Sequence, residues 1–161
     1  MNNKGNALID GPVLIVLLLG FALVGVVGLM VFSNMNTDFQ ADLTGDTNAK
    51  NTMSAGLSSY TNWVDDAFLM ILVLFSLFLI ISVFFLDSHP IYFILVFIML
   101  VGVFIVGIFL ANTYNDLASD ATLSTFANQL PKISYIMSHL VETIIVIMFM
   151  VSTAMYIKFK S

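Results

Sequence analysis

Four stretches of this chain, at roughly 12–33, 66–86, 91–112 and 135–157, are each long and apolar enough to cross a bilayer as a helix. A hydrocarbon layer of ~30 Å takes about 20 helical residues, and within it each segment must satisfy its own backbone polar groups. Together these demands predict an all-α integral membrane protein with four transmembrane helices. The composition agrees: 60% of residues are hydrophobic, 9% are charged and the mean hydropathy is +1.02, more than one soluble core of this size can cover. Residues 1–161 read as a single domain, because the polar connections at 34–65 and 113–134 are too short to fold alone.

Charge and residue usage narrow the functions open to such a bundle. Ten acids stand against five lysines, with no arginine, for a formal net charge of -5. That leaves no basic surface to neutralise phosphates, so direct nucleic-acid binding is not expected. The absence of cysteine removes thiolate catalysis and cysteine metal sites together, and no cofactor is expected. Spans two and three hold no ionisable residue between Asp66 and Asp87 or between Pro90 and Asn112, so no charged solute path runs through the middle of the bundle. The chain reads as non-enzymatic.

Lys4, Lys158, Lys160 and the α-amino group fall on one side of the four spans, with Lys50 and Lys132 on the other. This bias places both termini on the cytoplasmic side. Asp10 and Pro12 read as the N-cap and first turn of span one. The 34–65 connection is rich in Asn, Thr, Ser, Asp and Gly, which favour turns, and it reads as a mobile loop. Thr61 and Asn62 could cap span two, with Asp65 and Asp66 in its first turn, where the helix dipole favours negative charge; a paired-carboxylate reading of those two aspartates is weaker, since neighbouring helix positions diverge. In 113–134, Leu123, Phe126 and Leu130 make a short amphipathic stripe, expected as a helix lying on the bilayer surface or on a neighbour.

Two pairs of titratable residues are candidates for chemistry. Asp87, Ser88, His89 and Pro90 join spans two and three; as a hairpin turn, Ser88 caps the third span and Pro90 occupies its first turn, while His89 could instead sense pH. His139 and Glu142 lie three residues apart in span four. Counted from Tyr135 at ~1.5 Å per residue, Glu142 sits roughly 10 Å deep, which makes the pair either an intramembrane polar site or an interhelical contact. Opposite halves of the bilayer separate His89 from His139, so no shared metal is expected. Small residues for close helix approach mark span one (Ala22, Gly25, Gly28) and span three (Gly107, Ala111). They could serve packing within the protomer or between copies.

The stretches SHPIYFILVFIML, ANTYNDLASD, PKISYIMSHL and MYIKFK, across roughly the last 75 residues, resemble small multi-pass membrane proteins of icosahedral, lipid-containing viruses of bacteria and archaea. The resemblance implies a virion membrane protein lying beneath a protein shell in many copies, in contact with lipid, with copies of itself and with other membrane or capsid proteins. The expected role is structural, in a virion internal membrane or the host cell membrane. A holin-like pore and an accessory subunit of a cellular membrane complex are the rival readings.

Overall fold

The computed structural model describes residues 7–43, 45–84 and 90–160. They form six helices and, among the described residues, no strand: α1 (Ala7–Asp42), α2 (Thr47–Phe84), α3 (Pro90–Ser119), α4 (Ser124–Ala127), α5 (Pro131–Ser138) and α6 (Leu140–Lys160). Four of them, α1, α2, α3 and α6, are long and apolar enough to cross a membrane. By length and composition the chain is an integral membrane protein.

The long helices form a ring in which α1 packs on α2 and α3, and α6 packs on the other sides of α2 and α3. The short helices α4 and α5 wedge into one end of this ring, and the core follows from that placement. Phe68, Leu29, Leu130, Ile133 and Met137 are fully buried around Ala22, while a smaller cluster of Val83, Val151, Ala154 and Met155 closes the opposite end. Small residues set the helix spacing. A side chain at Gly25 would reach Val64 Cγ1 at 2.8 Å, Gly28 lies under the Tyr60 hydroxyl, and the end of Ile144 covers Gly107. These close approaches are all within the protomer.

Several expectations need correction. The 34–65 connection is not a loop: α1 continues to Asp42, α2 starts at Thr47, and only a short turn joins them. Its Ala, Gln, Lys and Asp residues tolerate helix, and neighbouring helix packing decides the outcome. Asp46 accepts the backbone N–H groups of Asn48 (3.1 Å) and Ala49 (3.0 Å), so it caps α2 in place of Thr61 or Asn62. Thr61 lies inside the helix and donates to its own Leu57 carbonyl. Gln40 Nε2 stitches the two arms, at 3.1 Å from the Lys50 carbonyl and 3.0 Å from Ser54 Oγ.

At the N-terminal end α1 already runs from Ala7, so Asp10 and Pro12 lie within it and Asp10 is not its cap. Ala7 and Leu8, good helix formers, extend it past them. The last span is interrupted: α5 ends at Ser138, His139 leaves the helical region (φ -112°, ψ 28°), and α6 begins at Leu140. Of the turn expected at 87–90, Pro90 opens α3, while Asp87, Ser88 and His89 lie outside the described residues.

Polar groups within the spans are settled locally. Ser76, Thr113, Thr143 and Thr153 each donate to the carbonyl four residues earlier, so these hydroxyls tie no helices together. At the terminal end of the bundle Lys158 reaches from α6 to donate to the Val83 and Phe84 carbonyls (3.1 and 3.2 Å), closing the C-terminus of α2.

Candidate functional site

The described buried charge is Asp65, 4% exposed, and its surroundings follow from the start of α5. A helix leaves its first backbone N–H groups without partners, and a polar N-cap side chain normally takes them. Here the N-cap position is Leu130, which has no acceptor, and Pro131 has no N–H to satisfy. The next two donors turn to a distant helix. Lys132 N–H reaches Asp65 Oδ2 at 3.0 Å and Ile133 N–H reaches Asp65 Oδ1 at 2.8 Å. Asp65 on α2 thus caps α5, with its negative charge at the positive end of that helix.

A second set of bonds carries the connection onward. Ser134 Oγ donates to the Ala127 carbonyl at 2.7 Å, which uses its one hydrogen. Tyr114 Oη, 3.1 Å from Ser134 Oγ, must therefore be the donor of that bond. Tyr114 is 2% exposed on α3, so Asp65, Ser134 and Tyr114 join α2, α3, α4 and α5 in one buried region. Among the described residues no buried side-chain nitrogen or oxygen lacks a partner. On the outer side Asp66 pairs with the Lys132 ammonium, both side chains exposed. That carboxylate, as hydrogen-bond acceptor, raises the lysine above its ordinary value.

Adjacent Asp65 and Asp66 therefore have separate duties. One is buried and saturated by backbone donors; the other faces outward onto a lysine. The first-turn role expected for both in α2 is replaced by capping and pairing across helices, because α2 had already begun at Thr47.

His139 and Glu142 occupy different settings from those expected. His139 sits at the break, its ring stacked on Tyr135 with centroids 4.5 Å apart, and its Nδ1 lies 2.9 Å from the Tyr135 carbonyl and 3.0 Å from Ser138 Oγ. A carbonyl only accepts, so Nδ1 carries the hydrogen in that contact. The same carbonyl also receives Ser138 Oγ at 3.0 Å and His139 N–H at 3.1 Å. Side-chain competition of this kind explains a helix end where no glycine or proline stands. Glu142 lies in the first turn of α6, where the helix dipole favours it. Both side chains are exposed, and among the described residues no hydrogen bond or ion pair joins them. Glu142 lies two residues, about 3 Å, past the first residue of the apolar helix at Leu140. Among the described residues no three His, Asp or Glu side chains gather as a metal-binding group.

Comparison with known proteins finds no matching family model, curated sequence or solved structure. The site's reading rests on this chain's own chemistry. The missed feature was the cross-helix cap. Leu130-Pro131 before a helix signals one, since neither residue can cap locally.

Proposed function

We propose that this chain is a non-enzymatic structural protein that organises a bilayer and links it to a protein shell, as the internal membrane of a virion requires. The observation that carries the reading is the overrun of α1 and α2. Their 36 and 38 residues make rods of about 54 and 57 Å, against a hydrocarbon core of ~30 Å.

The level of the far boundary follows by counting about 20 residues along each span. From Phe84 back along α2 this reaches Asp65, from Lys160 back along α6 it reaches Leu140, and from Pro90 along α3 it reaches Ala111. Exposed Trp63 and Tyr135 lie close to this level, as interfacial aromatics do. Gly25 is the α1 residue packed against Val64 there. On this placement span one covers about 7–25 in place of the 12–33 expected from its apolar run, and residues 26–42 of α1 project about 25 Å past the hydrocarbon, paired with the first half of α2. Asp65 and Tyr114 fasten the base of this projection to α5 and α3. Lys132 and Lys50 lie on the projecting side, and Lys158 and Lys160 on the other, which keeps the termini on the cytoplasmic side by the positive-inside rule.

A rigid projection fixed to a packed base suits a linker. The experiment is fractionation of the producing cells on a density gradient. Co-migration with lipid-containing, shell-bearing particles in fixed ratio is the expected result. Retention in the cell membrane, with depolarisation on induced expression or with a larger enzyme in mild detergent, would overturn it in favour of a pore or an accessory subunit.

A further inference from the structure

We propose that the projecting part of α1 is a docking face for a cationic, amphipathic segment of another protein. Val27, Val31, Met35 and Phe39 follow one another at four-residue steps, the spacing of one helix face, and are between 45% and 53% exposed. From the level of Gly25 the last three lie about 9, 15 and 21 Å beyond the hydrocarbon. The headgroup zone extends only about 5–8 Å on each side. Water, not acyl chains, meets Met35 and Phe39, and bare apolar surface there is unfavourable. The other arm of the projection behaves differently: exposed positions on α2 include Asn48, Asn51, Thr52, Ser58 and Ser59. The apolar row is therefore specific to α1.

At its membrane end the row runs into an apolar groove of about 200 Å³ between α1, α3 and α4, with Val27 common to both and Leu117 and Leu123 on the far wall. A ridge that ends in a groove of side-chain size fits an apolar stripe on a partner helix. Charge selects the partner. Asp38, Asp42, Asp46, Asp116 and Asp120 are exposed on the projecting side, where Lys50 is half-buried and Lys132 is already paired with Asp66. A second copy would bring the same negative field and be repelled, whereas a basic segment is drawn in.

The inference rests on the projection of α1 described above, which gives a linker something to hold. The test uses the full chain in phosphatidylcholine nanodiscs, titrated with a fluorescent amphipathic helical peptide of leucine and lysine and with its leucine–glutamate counterpart. The lysine peptide should bind loaded discs about tenfold more tightly than empty ones, a difference that shrinks as salt is added. Met35→Ser with Phe39→Ser should abolish the difference while helix content and thermal melting stay unchanged, because both positions are exposed. Equal binding of the glutamate peptide, equal binding to empty discs, or full binding by the double variant would each overturn the proposal. Disulfide-linked pairs formed by Phe39→Cys in loaded discs would assign the face to a second copy and overturn it as well. Co-migration with shell-bearing particles alongside failed peptide binding would sink the docking face alone and leave the linker reading standing.

Discussion

Asp65 Oδ1 accepts the backbone N–H of Ile133 at 2.8 Å across 68 positions of sequence, so one helix supplies the cap that another lacks. Lys158 performs the opposite service at the other end of the bundle, donating to the last carbonyls of α2. A negative side chain meets a helix N-terminus and a positive one meets a C-terminus, each from a different helix. Both pairings follow the dipole rule, and both resist sliding of the helices along their axes.

Asp65→Ala should leave two buried N–H groups without an acceptor and lower stability by about 3 kcal/mol. Asp65→Asn keeps one oxygen and should lose about 1 kcal/mol. Asp66→Asn, on the exposed side, should change it by less than about 0.5 kcal/mol. Chemical denaturation in detergent, followed by circular dichroism, orders the three.

The glycines should separate by what lies over them. Gly25→Ala faces Val64, whose branched side chain has little rotamer freedom in a helix, and should cost about 1–2 kcal/mol. Gly107→Ala meets only the end of the flexible Ile144 side chain and should cost less. Gly20 and Gly102 have nothing within 4 Å of an added methyl, so alanine at either should stabilise by up to about 0.5–1 kcal/mol. Thermal melts of the four variants check the order.

Trp63, the single tryptophan, should report the boundary directly. Lipids carrying a quencher near the headgroup should dim its emission more than lipids quenched at the chain ends. The chain has no cysteine, so Phe39→Cys is a clean probe: a membrane-impermeant maleimide should label it in intact vesicles of the matching orientation and leave Leu77→Cys untouched.

The Asp66–Lys132 pair predicts an alkaline effect. The folded lysine lies above its unfolded value of ~10.4. Its contribution is therefore complete below that value and disappears as pH rises through the folded one. Subtracting the melting curves of Lys132→Met from those of the native chain should show a difference that is complete below roughly pH 10.4 and is lost as pH rises through the folded lysine's higher value.

Much of the architecture was legible because lipid demands long apolar helices and tolerates few alternatives. Leu18, Phe68 and Ile144 sit in runs that could do little else. The connection at 34–65 misled because Gln40, Ala41 and Lys50 are neutral in a loop and favourable in a helix; contacts between the two arms, such as Phe32 on Tyr60 with rings 5.8 Å apart and Gln40 on Lys50 and Ser54, decide between them. Asp65 was readable as a helix-end residue, but not whose end, since its donors lie in another part of the chain. The break at His139 depends on three donors converging on the Tyr135 carbonyl, a competition that hydrophobic periodicity does not register.

α1 runs unbroken from Ala7 to Asp42, and on the proposed placement in the bilayer that makes it a lever. With the fulcrum at Gly25 and Phe39 about 21 Å away, a change in tilt of about 10° would sweep the tip sideways by about 4 Å. Helix tilt responds to hydrophobic mismatch, so thinning or thickening of the membrane would be transmitted outward as motion of the far end of α1.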